Sequence, residues 1–427
     1  MSLSKIQEKL TVLLALLKWL FLAVLVGMLA GTASAFFLFA LDWATSTRLV
    51  NPWLLAGLPL AGLVVGWVYW RFGQQIEAGN NLLIDEINEP QKIIPLRMAP
   101  LVLGSTVVSH LFGASVGREG TAVQMGAALA DQLTRLLQLK NGDRRVLLMA
   151  GISAGFASVF GTPLAGAIFG LEVLAIGRMR VDAIWPCLIA AVVADQVGVL
   201  WGVQHTHYLI GEIPAISLWV LVAVLLAGAI FGVVARCFAN ASHLIAGWMK
   251  KMIQYPPLRP FVGGGVIALL AWLLGAERYL GLGIPTIIES FQYPMANYDF
   301  AAKFAFTVAS LGSGFKGGEV TPLFYIGATL GNALAPLLNL HFAFLAGLGF
   351  VAVFAGAANT PIASTLMAIE MFGAEVGVYA ALACVVSYLF SGHTGIYCSQ
   401  RIAHGKYRAG PEGIRLSELA AYRDSKK

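Results

Sequence analysis

Two short stretches of this sequence share one pattern of glycine, glutamate and threonine: GREGT at 117–121 and GGEVT at 317–321. They lie 200 residues apart, and GAAL at 126–129 and GATL at 327–330 follow them in the same order. A second pair, AGFA at 154–157 and AVFA at 352–355, precedes a Thr-Pro step and a glutamate in both cases, with every matched position offset by 198 residues. Two blocks that recur in the same order, at offsets of 200 and 198 residues, indicate that the chain consists of two related halves.

The composition indicates a membrane protein. Hydrophobic residues make up 58% of the 427 residues, charged residues only 12%, and the mean hydropathy is +0.77. A soluble domain carries roughly 25% charged residues, so lipid must cover much of this surface. Several uncharged runs are long enough to cross a bilayer, which takes about 20 residues; they are 19–41, 53–70, 146–171, 213–235 and 376–400. We predict a single membrane domain over 1–427, with approximate halves at 13–210 and 213–400 and a short basic cytoplasmic tail at 401–427.

The first apolar run leaves an alternative open. Its Ala33-Ser34-Ala35 resembles a signal-peptidase site, so the run could be a cleaved signal peptide. Because Phe36 to Leu41 continue the apolar run past this site and further spans follow, we favour a membrane helix.

The net charge of +6 is concentrated beside the predicted spans. The basic residues at the two ends are Lys5, Lys9, Lys18, Arg401, Lys406, Arg408, Arg415, Arg423, Lys426 and Lys427. Short basic flanks prefer the cytoplasmic side, so we expect a multi-pass protein of the cell inner (plasma) membrane with both termini in the cytoplasm. Because these charges flank spans and do not form a stripe on a folded face, we expect no nucleic-acid partner.

Three Thr-Pro steps, at 162, 321 and 360, predict helix starts inside apolar sequence. Each places an N-capping hydroxyl before a proline at the first helical position. A helix that starts there leaves unpaired backbone N–H groups at its partly positive end, and hydrocarbon cannot satisfy them. An anion held between several such ends would do so, which predicts a pathway for a small anion near the middle of the membrane.

Four glutamates lie inside otherwise apolar stretches: Glu119, Glu172, Glu319 and Glu370. For Glu172 and Glu370, at matched positions of the two halves, we favour a scaffold role in which they hydrogen-bond to backbone. Glu119 and Glu319 adjoin glycines, which let an ion approach the backbone closely. A carboxylate there competes with an anion for the same donors and leaves when protonated, which would link anion movement to proton movement. A capping carboxylate that never moves is the alternative, and for Glu319 the two interpretations are evenly balanced.

No metal or cofactor site is predicted. Cys187, Cys237, Cys384 and Cys398 form no C-x-x-C pair and are expected to be free, and His205-Thr206-His207 has no acidic residue beside it that would suggest zinc. An intramembrane enzyme that uses a glutamate as its base is the rival from another class. The sequence offers no paired nucleophile and base for it.

The GREG stretch resembles the G-K/R-E-G-P motif of the CLC family of chloride channels and proton-coupled antiporters. The motif order agrees along almost the whole chain: GNNLL at 79–83, then GREGT, then GGEVTP at 317–322, with Tyr397 after the last spans. The resemblance implies an all-α polytopic membrane protein with a CLC-type inverted repeat of many short tilted and broken helices. It also implies a homodimer with one pore per subunit. The short tail leaves no room for the regulatory domains of many eukaryotic members, which fits a bacterial or archaeal origin.

The resemblance also implies the roles of particular residues. Glu119 is the gating glutamate, and Glu319 is a candidate for proton handling. The candidate anion-binding residues are Gly79, Asn80, Asn81, Gly117, Arg118, Gly120, Thr121, Gly318, Val320, Thr321 and Tyr397.

Departures from the chloride-type pattern point to fluoride. Asn80 stands where chloride-type members have an anion-coordinating serine, and Thr121 stands where they have a proline. Glu319 and Val320 differ from the third motif of those members. Val173 occupies the position of their internal proton-transfer glutamate. This combination resembles the fluoride-exporting branch of the family. An asparagine amide offers two N–H donors where serine offers one O–H, which suits a small, strongly hydrated anion. Without the resemblance, Asn80-Asn81 would be interpreted as a polar turn between helices.

We therefore predict a fluoride/proton antiporter, a secondary active transporter and not an enzyme, that exports cytoplasmic fluoride using the inward proton gradient. Its expected partners are fluoride, protons, the lipid bilayer and a second copy of the chain, with no cofactor. The alternatives are a chloride or nitrate/proton antiporter and a passive CLC-type anion channel.

Overall fold

The computed structural model describes residues 3–407 and 412–425, and most of these residues are helical. Arg408, Lys426 and Lys427 of the predicted basic tail lie outside the described residues. The helices of the first half are α1 (Leu3–Val50), α2 (Leu58–Phe72), α3 (Asn80–Asn88), α4 (Met98–Leu111), α5 (Glu119–Leu136), α6 (Asn141–Phe160), α7 (Pro163–Glu172) and α8 (Ile184–Leu200). Those of the second half are α9 (Leu218–Met252), α10 (Leu258–Leu274), α11 (Ile284–Gln292), α12 (Asp299–Ser313), α13 (Val320–Leu338), α14 (Phe342–Ala358), α15 (Pro361–Phe372) and α16 (Gly377–Phe390).

A short C-terminal helix, α17 (Leu419–Asp424), follows the second half. Two-residue strands β1 (Ala175–Ile176) and β2 (Arg401–Ile402) pair in parallel and hold the start of the tail against the segment between α7 and α8. Short 3₁₀ turns occur at Pro52–Gly57, Gln74–Ile76, Val181–Ala183, Glu277–Tyr279, Ala374–Val376 and Leu416–Glu418.

The helices α1–α8 recur in order as α9–α16, so the fold is the predicted all-α inverted repeat. The short α3 and α11 have 9 residues each, and α5 and α13 have 18 and 19. Some helices contact their own counterparts in the other half: α2 contacts α10, α5 contacts α13, and α7 contacts α15. Phe156 and Phe354, matched positions 198 residues apart, stack with ring centroids 6.1 Å apart. These contacts lie where a two-fold axis relates the halves.

Among the described residues, five helices are long and apolar enough to cross a membrane, and some of the predicted spans have different limits. The run 146–171 forms two helices, because α6 ends at Phe160 and α7 begins at Pro163. The run 376–400 is helical only to Phe390, and residues 391–400 are irregular and carry Tyr397. The outer faces of the long helices expose large apolar side chains such as Trp53 and Trp272, which suits contact with lipid.

Helix α1 continues through the sequence that resembles a signal-peptidase site. Ser34 and Ala35 are buried in the middle of α1, which packs against α8 and α6. The structure thus agrees with a membrane helix at this end.

The N-termini of α5 and α13 are joined by two backbone hydrogen bonds. The Gly117 N–H donates to the Gly318 carbonyl at 2.6 Å, and the Gly318 N–H donates to the Gly117 carbonyl at 2.7 Å. This antiparallel exchange joins the two matched glycine motifs, as a two-fold axis between them requires. A methyl group on Gly318 would lie 2.8 Å from the backbone nitrogen of Gly120, closer than real Cβ atoms approach such atoms. Glycine at 318 therefore permits the close approach of the two helix starts.

Two glutamates cap the helices of the opposite half. The Glu172 carboxylate accepts hydrogen bonds from the N–H groups of Ile362 and Ala363 at 3.0 and 2.8 Å, at the start of α15. Glu370 does the same for Leu164 and Ala165 at the start of α7, at 2.8 Å each. The scaffold role favoured for both glutamates agrees with this geometry, which also ties the halves together reciprocally.

The predicted threonine caps are wrong in detail. Helices α7 and α15 do begin at the prolines after Thr162 and Thr360, but neither threonine side chain caps its helix, and both hydroxyls are buried without a hydrogen-bond partner among the described residues. The two glutamates of the opposite half take the N–H groups that these hydroxyls would have bound. Helix α13 begins one residue before Thr321, so the Thr321 hydroxyl is also free for another partner.

Replacing Gly318 by alanine tests the glycine contact. We expect Gly318→Ala to lower the apparent melting temperature of the purified protein in detergent, because overpacking of this kind costs about 1–3 kcal/mol. The matched control is Gly104→Ala in α4, where an added methyl meets no atom within 4 Å. Alanine there should leave stability unchanged or raise it, since alanine favours a helix over glycine by about 1 kcal/mol. Equal melting temperatures for the two variants would contradict the contact.

Candidate functional site

The Glu119 side chain lies on the N-terminus of α13. The N–H of Thr321 donates to Glu119 Oε2 at 3.0 Å, and the Thr321 hydroxyl donates to Oε1. The Arg118 N–H also donates to Oε2, at 3.1 Å. Glu119 itself is completely buried. A carboxylate thus occupies the position where the donors of two helix starts converge.

Arg118 is the nearest cation to this carboxylate. Its Nε lies 3.7 Å from Glu119 Oε1, and its side chain is partly exposed. The distance is too long for a good hydrogen bond, so the ion pair is loose. The hydrogen bonds to the Glu119 carboxylate come from the N–H groups of Thr321 and Arg118 and the Thr321 hydroxyl, donors of the kind that would also bind a small anion.

A cavity of about 180 Å³, here called the central cavity, lies on one side of this junction. Its lining is predominantly polar and includes Asn80, Thr121, Gln124, Glu319 and Tyr397. It shares Tyr69, Glu77, Ala78 and Lys316 with a larger cavity of about 760 Å³, here called the first vestibule.

A much smaller pocket lies on the other side of the junction. This Glu119 pocket, of about 20 Å³, is lined by Glu119, Arg118 and Thr321 together with mainly apolar side chains. It shares Phe160, His205, Thr206 and Met371 with a cavity of about 460 Å³, here called the second vestibule. Two vestibules thus approach Glu119 from opposite sides.

The two vestibules belong to opposite faces of the protein. Asp143, near the start of α6, pairs with Lys18 of α1 at 2.6 Å, and α6 then runs about 30 Å to Phe160, which lines the second vestibule. Helix α1 runs from the Lys18 face to Val50 and α2 returns, which brings Gln74 of the first vestibule back to the Lys18 face. The first vestibule therefore opens toward the face that carries Lys18.

The two halves contribute unequal glutamates to the junction. Glu319 lines the central cavity, where the described residues offer its carboxylate no hydrogen bond, whereas Glu119 is held by three donors. The threonine of each motif lies in the compartment opposite to the glutamate of the same motif. Thr121 lines the central cavity and hydrogen-bonds Thr106 at 2.7 Å, whereas Thr321 lines the Glu119 pocket. The repeat thus places one glutamate in each of the two compartments.

Asn80 and Tyr397 reach the central cavity from two further segments. Asn80 is the first residue of α3, so a third helix N-terminus faces this region, and a methyl group on Gly120 would lie 3.1 Å from its Nδ2. The Asn80 Oδ1 is buried without a partner among the described residues. Tyr397 is buried and lines the same cavity.

Asn81 joins α3 to the segment that carries Tyr397. Its Oδ1 accepts a hydrogen bond from the Ser399 N–H at 2.9 Å, and the Ser399 hydroxyl donates to Asp85 at 2.9 Å. The Asn81 side chain therefore holds the two segments together as well as lining the cavity.

The structure brings most of the predicted site residues into this region. Those that line the central cavity are Gly79, Asn80, Asn81, Thr121, Glu319 and Tyr397, and those at the junction or the Glu119 pocket are Gly117, Arg118, Glu119, Gly120, Gly318 and Thr321. Val320 is buried at the start of α13 and lines neither compartment. Val173 is also buried, and its carbonyl accepts a hydrogen bond from Gln400.

Lys316, a cation at this site, was not predicted from the sequence. Lys316 lies between the central cavity and the first vestibule, with its Nζ 4.1 Å from the centre of the Tyr69 ring. A lysine directly before the GGEVT stretch, inside apolar sequence, was the signal that could have revealed it. Its position gives the approach to the central cavity a positive charge.

No cluster of three or more metal-ligating side chains occurs within residues 3–407 and 412–425. The described site consists of hydrogen-bond donors, the carboxylates of Glu119 and Glu319, and the cations Arg118 and Lys316. Such an arrangement can bind a small anion and can exchange that anion for a carboxylate.

Comparisons with known proteins point to one family. Residues 61–392 match the sequence profile of the family described as "Voltage gated chloride channel". A "Chloride/fluoride channel protein" of Pseudomonas syringae pv. tomato is 62% identical over 422 residues, covering 97% of this chain and 93% of that protein. An "H(+)/Cl(-) exchange transporter ClcA" of Vibrio cholerae is 29% identical over 382 residues, covering 82% and 81%.

A solved structure is similar over almost the whole chain. The crystal structure of a CLC-type fluoride/proton antiporter superposes with a TM-score of 0.87 at 36% identity, covering 90% of this chain and 98% of that one. The matched profile, the relatives and the repeat architecture agree. This chain belongs to the voltage-gated chloride channel family, the CLC family.

Proposed function

We propose that this protein is a fluoride/proton antiporter that exports fluoride from the cytoplasm. The observation that carries the proposal is the position of the Glu119 carboxylate, which accepts hydrogen bonds from Thr321 and Arg118 between two opposed vestibules. An anion at this position would use the same donors. The carboxylate and the transported anion therefore exclude each other.

This exclusion couples the anion to the proton. When Glu119 is ionised it occupies the donors of α13 and separates the central cavity from the Glu119 pocket. When a proton neutralises the carboxylate, its attraction to these donors weakens, and fluoride entering from the central cavity can replace it. The side chain then carries its proton away from the anion path. Each cycle moves fluoride in one direction and a proton in the other.

Glu319 is the candidate for proton handling on the Lys18 side. Its carboxylate lines the central cavity and has no hydrogen bond to another described residue, so it is free to take a proton from Glu119 or from water. No carboxylate occupies position 173, where chloride-type members carry their internal glutamate. The open position of Glu319 supports this role.

The donor set supports fluoride over chloride. The Thr321 hydroxyl and the Asn80 amide add side-chain donors to the backbone N–H groups at three helix starts. A small, strongly hydrated anion needs more and shorter hydrogen bonds to replace its water. The 62% identical relative is named for chloride and fluoride, and the 36% identical solved structure is a fluoride/proton antiporter. Chloride/proton exchange, for which the Vibrio cholerae relative is named, is the second candidate.

We infer that the working unit is a homodimer in the inner membrane with one pathway per subunit. The two vestibules and the compartments between them share lining residues within a single subunit, which supports one pathway per subunit. Lys9 and Lys18 of α1 support a cytoplasmic position for the face onto which the first vestibule opens. Fluoride would then enter through the first vestibule and leave through the second.

Glu119→Gln tests the exchange of carboxylate and anion. Glutamine keeps the size of the side chain and cannot release a proton, so we expect an imposed fluoride gradient to drive no proton movement in vesicles that contain this variant. Fluoride would cross without coupling. Glu375→Gln is the control, since Glu375 is an exposed acid outside both vestibules. Coupled transport by Glu119→Gln at the rate of the control would contradict the role of Glu119.

Asn80→Ser tests the contribution of the amide to selectivity. We expect the ratio of fluoride flux to chloride flux to fall about tenfold, which corresponds to about 1.4 kcal/mol and to the loss of one hydrogen bond to a charged group. The matched control is Asn88→Ser at the other end of α3, where the amide donates to the Ile84 carbonyl. An unchanged ratio for Asn80→Ser would exclude Asn80 from the choice of anion.

A further inference from the structure

His205 lies between the second vestibule and Glu119. It belongs to the segment 201–217 that joins α8 to α9, and its ring lines both the second vestibule and the Glu119 pocket. The ring packs against the end of α6, where a methyl group on Gly161 would lie 2.6 Å from the His205 Cδ2. Among the described residues, the second vestibule and the Glu119 pocket share four lining residues: Phe160, His205, Thr206 and Met371. His205 therefore lies at the boundary between these two compartments.

A proton that moves between this vestibule and Glu119 must cross a mainly apolar lining. The apolar side chains around the Glu119 pocket are Val159, Phe160, Ile284, Ile287, Phe324, Phe350 and Met371. Its polar members besides Glu119 are Arg118, His205, Thr206, Tyr208 and Thr321. Of these, histidine alone has an ordinary pKa near neutral pH, so it is the group that can both take and release a proton there.

The polar surroundings of His205 suit proton exchange. Its Nε2 is buried, has no hydrogen bond to any described residue, and lies 3.8 Å from Asp195 Oδ1 on α8. The Glu119 pocket of about 20 Å³ has room for one water molecule, which could join the ring to the Glu119 carboxylate. Asp195 on the vestibule side and Glu119 on the pocket side thus flank the His205 ring.

Burial is the main influence on the protonation of His205 and favours a neutral ring at neutral pH. Burial lowers the pKa of His205, whereas Asp195 and the backbone of Val159 on α6 raise it. Arg118 before α5 and His207 in the same segment lower the pKa further. Glu370 of α15 lines the same vestibule. A neutral ring can accept a proton from the vestibule while it donates its own proton toward Glu119.

We propose that His205 relays protons between the second vestibule and Glu119, an inference that rests on the proposed function. A proton from vestibule water adds to one ring nitrogen, and the proton on the other nitrogen passes through a water molecule to the Glu119 carboxylate. The ring returns to its first tautomer before the next proton. No bond other than these N–H and O–H bonds is made or broken.

Replacing His205 by glutamine tests the relay. In vesicles with equal pH on both sides and a fluoride gradient, we expect His205→Gln to reduce the rate of proton uptake about tenfold or more near neutral pH, since a positioned acid–base group contributes at least this much. The defect should shrink as the pH is lowered toward about 5.5, because hydronium then supplies protons directly. The number of protons moved per fluoride should stay unchanged. His207→Gln is the matched control, an exposed histidine of the same vestibule that does not line the Glu119 pocket.

A second variant keeps the test independent of folding. His205→Ala removes the ring, and imidazole added to the buffer should restore its proton uptake toward the wild-type rate while leaving His207→Ala unaffected. Restoration supports a relay, because a purely structural defect does not respond to a soluble base. Normal rates and pH profiles for His205→Gln, or no effect of imidazole on a slow His205→Ala, would overturn the proposal.

The double variant Glu119→Gln/His205→Gln separates proton relay from anion binding. If His205 acts only on protons, its replacement should not slow the uncoupled fluoride flux of Glu119→Gln; a fall in that flux would make His205 an anion ligand or a structural residue and overturn the relay. The two proposals also fail differently. A wild-type protein that moves no protons contradicts the antiporter, whereas normal wild-type coupling with an unaffected His205→Gln contradicts the relay alone.

Discussion

The two hydrogen bonds between the backbones of Gly117 and Gly318 bring the N-termini of α5 and α13 together inside the membrane. This contact concentrates unpaired donors and two partly positive helix ends in a place without bulk water, so a negative group is required there. Glu119 supplies that group through its bonds to Thr321 and Arg118. The close approach depends on glycine, since a methyl group on Gly318 would strike the backbone of Gly120. The need for an anion is therefore built into the backbone of the fold.

The internal repeat stabilises this contact and places a different glutamate on each side of it. Glu172 and Glu370 cap the starts of α15 and α7 across the two-fold axis, which joins the halves on either side of the site. The same symmetry gives each half one glutamate at its glycine motif. Glu119 is bound by donors and buried, whereas Glu319 faces the central cavity. One carboxylate can thus compete with the anion while the other is available for protons, and this difference supports coupled exchange.

The sequence predicted those parts of the site that depend on local pattern. The offset between the two motifs revealed the repeat. The Thr-Pro steps located the starts of α7 and α15, because proline fixes its own φ and lacks an N–H wherever it occurs, which suits the first position of a helix. The capping partners could not be predicted in the same way: the donors beside Thr162 and Thr360 bind glutamates about 200 residues away in the chain. Lys316 was missed although it directly precedes the GGEVT stretch. The approach of His205 to Asp195 was also missed, because the residues between them do not show how the chain turns after α8. Val320, included among the anion-binding candidates, points to neither compartment, and its role in binding stays untested.

The most direct test of the account is the movement of protons against their own gradient by the wild-type protein. Vesicles that contain the purified protein would be loaded with fluoride and placed in a fluoride-free medium slightly more alkaline than their interior, with the membrane potential held at zero by a potassium ionophore. The account predicts that fluoride efflux draws protons into the more acidic interior, so that the external medium becomes more alkaline, and that an equal chloride gradient produces a much smaller change. Fluoride efflux without this proton uptake would contradict the exchange of anion and carboxylate at the junction of α5 and α13.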